Sequence, residues 1–155
     1  MIFNSRVKLH FIQDFDVPRE WVFNFFSEHE RLAHIYPGAF KRIVNSPDPR
    51  NVNGIGSVRQ IVNLPLVFEE TVTAFNEPEF IEYKVTGGLV PIKNHVGKMN
   101  FIALESGKSR LDYTIEFDPV YDVPFLGFFI KNLNEKLVGR AIRDLSFKFK
   151  ENPRF

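Results

Sequence analysis

The sequence predicts an α+β fold in which a curved antiparallel sheet of about six to seven strands packs around one long C-terminal helix. Residues 110–117 alternate apolar and polar side chains, as a strand with one buried face does. Residues 124–150 repeat apolar side chains at intervals of three and four, as an amphipathic helix does. The other strand-like segments are joined by short connections, which favours antiparallel pairing. A sheet with one apolar face needs a cover, and the long helix supplies it.

The N-terminal part of the chain is predicted to form one strand and two short helices. The strand covers residues 6–15, where apolar side chains alternate from Val7 onwards. The first short helix follows at 18–27, since a proline is tolerated in the first turn of a helix. We expect this helix to bury four large apolar side chains, those of Trp21, Val22, Phe25 and Phe26. The second short helix is predicted at 28–35 and ends before a Pro-Gly pair.

The middle of the chain is predicted to form a series of strands, followed by the long helix. The strands are expected at residues 40–45, 57–63, 66–75, 80–86, 94–105 and 109–117. Clusters of Gly, Pro and Asn predict loops at 46–54 and 87–91. The final helix, 124–150, carries an apolar stripe that we expect to be buried, made of Leu126, Phe129, Ile130, Leu133, Leu137, Ala141, Leu145 and Phe149.

Length, charge and cysteine content restrict the possible functions. At 155 residues the chain is predicted to form a single domain, 1–155. Twenty basic and 19 acidic residues leave a net charge of +1, so no global field favours a nucleic acid. The absence of cysteine excludes disulfides, thiolate metal sites and a cysteine nucleophile. Residues 1–6 lack the layout of a signal peptide, and we expect a cytoplasmic protein without a transmembrane segment, its oligomeric state left open.

Phenylalanine is the commonest residue, with 18 copies. Flat, stiff rings suit a packed core and equally the wall of a cavity that holds an apolar ligand. A buried polar group without a partner costs about 1–3 kcal/mol, so polar residues on apolar strand faces need an explanation. Either they pair with one another and with water, or they contact a ligand. Strand alternation puts six polar residues in this position: Gln13, Gln60, Glu70, Tyr83, His95 and Tyr113.

Three segments of the chain carry a family resemblance. Residues 15–23 are similar to a strand end followed by the pattern x-P-x-x-x-V-[WF], and residues 27–32 to a D-x-x-x-L second helix. Residues 107–117 resemble a hairpin strand that leads into a terminal helix. In these features the chain resembles the helix-grip superfamily of the birch-pollen allergen, the START lipid-transfer domains and the polyketide cyclase/dehydrase group (SRPBCC). The resemblance implies a Bet v 1-like fold, and it specifies fold rather than activity.

The candidate catalytic residues are His95, Glu70 and Tyr113. A histidine beside a cavity can exchange protons at neutral pH, and a buried carboxyl can act as a general acid or base. Each has a structural alternative. His95 can be a structural histidine whose hydrogen bonds are made within the protein, and Tyr113 can be a core tyrosine. A one-residue register shift would turn Glu70 outward. No metal site is expected, because His29 and His34 are five residues apart and cannot hold one ion from a single helix.

The residues predicted to bind the ligand lie on the inner strand faces and on the helix stripe. They are Gln13, Gln60, Phe68, Tyr83, Met99, Phe101, Ile115, Phe117, Phe129, Ile130, Leu133 and Leu137. Tyr83 can equally be a core tyrosine, and the two glutamines can lie half-solvated at the ends of the sheet. No cofactor is expected.

Three functions are compatible with this pattern. The leading hypothesis is a binding module that encloses a hydrophobic small molecule, such as a lipid, an isoprenoid or an aromatic polyketide. The second is an enzyme of the polyketide cyclase/dehydrase type, in which proximity supplies much of the acceleration. The third is an interaction protein whose vestigial pocket is filled by its own phenylalanines. A hollow between sheet and helix distinguishes the first two from the third.

Overall fold

The structure of the protein is a computed structural model that describes residues 6–120 and 125–155. Residues 1–5, which bear on the predicted lack of a signal peptide, lie outside these ranges, as does Pro124, the predicted start of the long helix. The described strands are β1 (Val7–Phe15), β2 (Ala39–Val44), β3 (Val58–Asn63), β4 (Leu66–Asn76), β5 (Phe80–Leu89), β6 (Ile92–Ala103) and β7 (Ser109–Pro119). The helices are α1 (Arg19–Ser27), α2 (Leu126–Glu151) and two short 3₁₀ segments (His29–His34 and Glu105–Gly107).

The strands form one seven-stranded antiparallel sheet in the order β1-β7-β6-β5-β4-β3-β2. The first and last strands pair along their length, from Val7 opposite Phe117 to Phe15 opposite Ser109. Every second residue of β7 is buried, because one face of this strand looks into the core. The sheet, the two short helices after the first strand and the long C-terminal helix confirm the predicted fold class.

Helix α1 buries a different set of residues from the predicted one. Trp21 is 37% exposed, whereas Phe23 is buried with its ring edge-on to Phe75 and Phe101, each at 5.2 Å between centroids. The expectation of a buried Trp21 is therefore wrong. At 100° per residue, Trp21 and Phe23 lie on opposite sides of the centre of the other three apolar residues, at roughly 90° and 110° from it, so the helical period alone does not decide which of the two is buried. The remaining predicted members of this face are buried: Val22, Phe25 and Phe26.

Helix α2 approaches β1 closely in its second half and covers a hollow in its first half. An ideal Cβ on Gly139 would lie 3.6 Å from the Phe11 ring. The predicted burial is wrong for Phe129, Leu133 and Leu137, which are 66%, 57% and 39% exposed. The helical period identifies an apolar face, but it does not say what covers that face. The second half of the helix is buried through Val138, Ala141, Ile142, Leu145 and Phe149.

The connection between β5 and β6 is shorter than predicted. The loop expected at 87–91 is mostly strand, since β5 extends to Leu89 and β6 begins at Ile92. Gly88 adopts a φ of +92° within this hairpin, and an added Cβ would collide with the backbone of Val67 and Phe68. Within the described ranges, no helix is long and apolar enough to cross a membrane.

Candidate functional site

A cavity of about 290 Å³ lies between the inner face of the sheet and helix α2. Its mouth is formed by the exposed lining residues Pro37, Asn63, Leu66, Leu133 and Leu137. Its interior is formed by buried residues of β3 to β7, of α2 and of the first 3₁₀ helix. Most of the lining is apolar. The apolar residues include Phe40, Ile61, Phe68, Val85, Val90, Ile92, Met99, Ile115, Phe117, Ile130 and Val138.

The structure brings most of the predicted site residues together in this cavity. The lining includes Glu70, His95, Tyr113, Phe68, Tyr83, Met99, Ile115, Phe117, Ile130, Leu133 and Leu137. Four predicted ligand-binding residues do not line it: Gln13, Gln60, Phe101 and Phe129.

Three of these four residues lie elsewhere for simple reasons. Gln13 is near the end of β1, where its amide donates a hydrogen bond to the backbone oxygen of Asp14 at 3.0 Å. Phe101 is buried on the correct face of β6 but is covered by α1, through Phe23 and Phe26. Phe129 points to solvent from the first half of α2.

The fourth residue, Gln60, was assigned to the wrong face of its strand. Arg59 and Ile61 are the buried residues of β3, and Gln60 alternates with them. The β3–β4 pairing places Arg59 directly opposite Glu70, and Gln60 opposite Glu69. Because directly paired residues share a face, an inward Glu70 requires an inward Arg59. Arg59 is thus the main residue that the sequence prediction of the site missed.

Arg59 and Glu70 form a buried ion pair in the cavity wall. The Glu70 Oε2 accepts a hydrogen bond from Arg59 Nε at 2.6 Å and lies 2.5 Å from Arg59 Nη2. The guanidinium also lies over the Tyr83 ring, 4.8 Å from its centroid. Burial is the largest influence on the pKa of Arg59 and acts to lower it, but Glu70, together with Tyr83 and Tyr113, raises the pKa above its ordinary value. The guanidinium therefore remains charged.

His29 supports Arg59 from behind the cavity. It is 1% exposed, its Nδ1 faces Arg59 Nη1 at 3.5 Å, and its Nε2 faces Ser57 Oγ at 3.2 Å. Burial, followed by the charges of Arg59 and Arg42, lowers the pKa of His29 to about 3. Since Arg59 can only donate, Nδ1 accepts and Nε2 carries the proton. This imidazole cannot take a proton from Ser57, so the pair is not an activated nucleophile.

The sequence held a weak signal for this role of His29. In a 3₁₀ helix, residues three apart lie on the same side, and His29 is three residues before the buried Leu32. From the sequence, however, His29 was considered only as a possible metal ligand together with His34 on a small helix. Its partners come from β3 and the segment before it, which are distant in sequence, so the helix pattern alone could not identify them.

Two tyrosines meet at the centre of the cavity. The hydroxyls of Tyr83 and Tyr113 hydrogen-bond to each other. Burial raises the pKa of both phenols, so both stay protonated at neutral pH. The Tyr83 ring crosses β6 at Gly97, where a Cβ would overlap the ring. A glycine on the neighbouring strand thus gives Tyr83 the space to reach Tyr113.

Two further polar atoms in the cavity wall are buried without a partner. Within residues 6–120 and 125–155, neither the Tyr36 hydroxyl nor His95 Nδ1 makes a hydrogen bond. Burial raises the pKa of Tyr36 and lowers that of His95, so both side chains are neutral. The His95 ring lies 5.5 Å from the Tyr83 ring, next to the tyrosine pair. Both atoms have hydrogen-bonding capacity left for a molecule in the cavity.

Comparison with protein families gives one match. The model of the family described as "Polyketide cyclase / dehydrase and lipid transport" matches residues 6–152. The chain belongs to this family. A search of curated proteins finds no match.

Several solved structures share the fold of this chain. A START superfamily protein from Mycobacterium smegmatis aligns with a TM-score of 0.76 and 15% identity, over 93% of this chain and 97% of the other. The protein XoxI from Bacillus cereus aligns with a TM-score of 0.72 and 18% identity, over 92% of this chain and 95% of the other. Norcoclaurine synthase from Thalictrum flavum, in complex with dopamine and hydroxybenzaldehyde, aligns with a TM-score of 0.65 and 12% identity, over 94% of this chain and 88% of the other. At these identities the likeness establishes the helix-grip fold alone.

Proposed function

We propose that the protein binds a hydrophobic small molecule in the cavity between the sheet and α2. The observation that carries the proposal is the cavity itself, with a volume of about 290 Å³ and a mostly apolar wall contributed by both the sheet and the helix. Small-molecule sites typically measure ~300–1,000 Å³ and combine apolar walls with a few polar groups. The family description, which includes lipid transport, agrees with this proposal.

Binding of the neutral fluorescent probe 1-naphthylamine tests the proposal. We expect saturable binding to the wild-type protein and at least ~tenfold weaker binding to Val85→Trp, since the added indole takes up space in the cavity. Val44→Trp is the matched control, because Val44 is exposed on the edge strand β2 and does not line the cavity. Far-UV circular dichroism verifies that the variants are folded. Absence of saturable binding to folded wild-type protein, or equal binding to Val85→Trp, would contradict the proposal.

A second candidate function is an enzyme of the cyclase/dehydrase type. The convergence of His95, Glu70 and Tyr113 on one cavity favours it. In such an enzyme the neutral His95 would accept a proton, because its lowered pKa keeps the imidazole unprotonated. Glu70 would hold Arg59 in place, and Tyr113 would donate through the hydroxyl network that it forms with Tyr83.

A linear poly-β-keto thioester offered to the protein tests this second function, with mass spectrometry to detect loss of water or a cyclised product. His95→Gln should abolish turnover but retain binding of the naphthylamine probe. Turnover that is unchanged in His95→Gln would remove this residue from the mechanism. The third alternative, a pocket filled by phenylalanines, gains no support from the packing, since Phe40, Phe68 and Phe117 line the cavity without filling it.

A further inference from the structure

We infer that the ligand is a compact, uncharged molecule with a hydroxyl-type polar head, which is recognised by Tyr36 and His95 in the cavity wall. This inference rests on the proposed function and specifies the chemical class of ligand for the same site. It follows from three features of the cavity: its balanced charge, its two unpartnered polar atoms and its volume.

The charges in the cavity wall already neutralise each other. Among the described lining residues, Arg59 is the one with a full positive charge and Glu70 the one with a full negative charge. Two guanidinium nitrogens of Arg59 contact Glu70, and the third faces His29. A ligand carboxylate or ammonium would therefore enter without an available counter-charge, which is strongly unfavourable in an apolar enclosure.

The unpartnered atoms indicate which uncharged polar group the ligand carries. The hydroxyls of Tyr83 and Tyr113 hydrogen-bond to each other, whereas the Tyr36 hydroxyl and His95 Nδ1 have no partner within the described residues. A phenol hydroxyl donates and accepts, and a neutral imidazole Nδ1 does one or the other according to its tautomer. A ligand hydroxyl can do both, so it can pair with either atom whichever tautomer is present. A hydrocarbon would leave both atoms unsatisfied.

The volume limits the size of the ligand. A liquid water molecule takes up ~30 Å³ and covalently bonded atoms pack more closely, so about 290 Å³ accommodates roughly ten to fifteen non-hydrogen atoms. A phenol or alicyclic alcohol of one or two rings fits this space. A long-chain lipid would leave most of its chain outside the mouth.

Three probes with one aromatic body and different heads test the inference: 2-naphthol, 2-methylnaphthalene and 2-naphthoate. Their dissociation constants are measured at neutral pH, where the naphthol is uncharged and the naphthoate is an anion. We expect 2-naphthol to bind roughly threefold to tenfold more tightly than 2-methylnaphthalene for each hydrogen bond gained. We expect 2-naphthoate to bind more weakly than either.

Variants then assign the preference to the two residues. Tyr36→Phe and His95→Gln should each reduce the advantage of 2-naphthol over 2-methylnaphthalene and leave the affinity for 2-methylnaphthalene unchanged. His10→Gln is the matched control, because His10 lies on the outer face of β1 and pairs with Asp112 at 2.7 Å. Tyr36→Phe removes one unpartnered oxygen, so it should not impair folding.

The outcomes separate this inference from the proposed function. If 2-naphthoate binds as tightly as 2-naphthol, or if both variants keep the full preference for 2-naphthol, the inference is wrong although the cavity still binds small molecules. If none of the three probes binds to folded wild-type protein, the proposed function fails as well. A preference for 2-naphthol that both variants diminish establishes the hydroxyl-bearing class.

Discussion

The buried His29 makes the stability of the protein fall on mild acidification. Its pKa is about 3 in the folded protein against an ordinary value of 6.5, because burial and the charges of Arg59 and Arg42 disfavour the imidazolium. The unfolded chain therefore binds a proton in the range between these values that the folded protein does not bind. Stability from this group is complete above about pH 6.5 and decreases as the pH falls towards about 3.

The size of the effect follows from the same two pKa values. The full difference corresponds to roughly 5 kcal/mol at 1.36 kcal/mol per pKa unit. About 2 kcal/mol of that amount is lost between about pH 7 and pH 5, where most carboxylates stay ionised. His95 also has a lowered pKa and adds to the loss in the wild-type protein. The contribution of His29 is therefore the difference between the wild-type protein and a variant without it.

Urea unfolding followed by circular dichroism measures this difference. We expect His29→Gln to lose about 2 kcal/mol less than the wild-type protein between about pH 7 and pH 5, whatever its stability at neutral pH. His34→Gln is the matched control, since His34 is exposed on the same 3₁₀ helix, and it should follow the wild-type protein. Equal losses in His29→Gln and the wild-type protein would refute the reasoning.

Urea denaturation tests two further predictions, one for the buried ion pair and one for the contact between Tyr83 and Gly97. Arg59→Met should lower the free energy of unfolding by about 3–5 kcal/mol, because it leaves Glu70 charged and buried, and a second change, Glu70→Leu, should restore most of the loss. A loss below about 1 kcal/mol in the single variant would mean that the carboxylate finds other partners. Gly97→Ala should cost about 1–3 kcal/mol through overlap with the Tyr83 ring, whereas Gly139→Ala, where the added Cβ makes ordinary contacts, should not destabilise. Equal effects of the two alanines would contradict the close packing at residue 97.

The fold was predictable from the sequence because its strands have one face towards solvent and one face towards the core. The alternation in β7 identifies the buried residues one by one, and the pattern in the long helix identifies its apolar face. The same patterns cannot show which part of the molecule packs against each apolar face. Leu133 and Leu137 belong to the apolar face of α2, yet they are exposed because they line a hollow at this part of the helix. Burial there is a property of the assembled molecule rather than of the local sequence.

The candidate site was predictable where each strand could be treated alone. Glu70, His95 and Tyr113 occupy the predicted face and line one cavity. Gln60 was misassigned because Val58 and Val62 on its face outnumber Ile61 on the other, and with so few apolar residues the pattern of β3 alone leaves the choice of face ambiguous. The short turn that pairs Asn63 with Leu66 resolves the ambiguity, since counting back from it puts Arg59 opposite Glu70. Register between strands, rather than alternation within one strand, identifies the buried ion pair.

The contact between Tyr83 and Gly97 links two positions that are distant in sequence. The ring occupies the space in which any L-amino acid at residue 97 would place its Cβ. Among homologous chains, these two positions should therefore co-vary: a side chain larger than hydrogen at residue 97 should coincide with loss of the aromatic ring at residue 83. An alignment in which alanine and tyrosine frequently occur together there would indicate that the interior of this protein is built differently from that of its homologues.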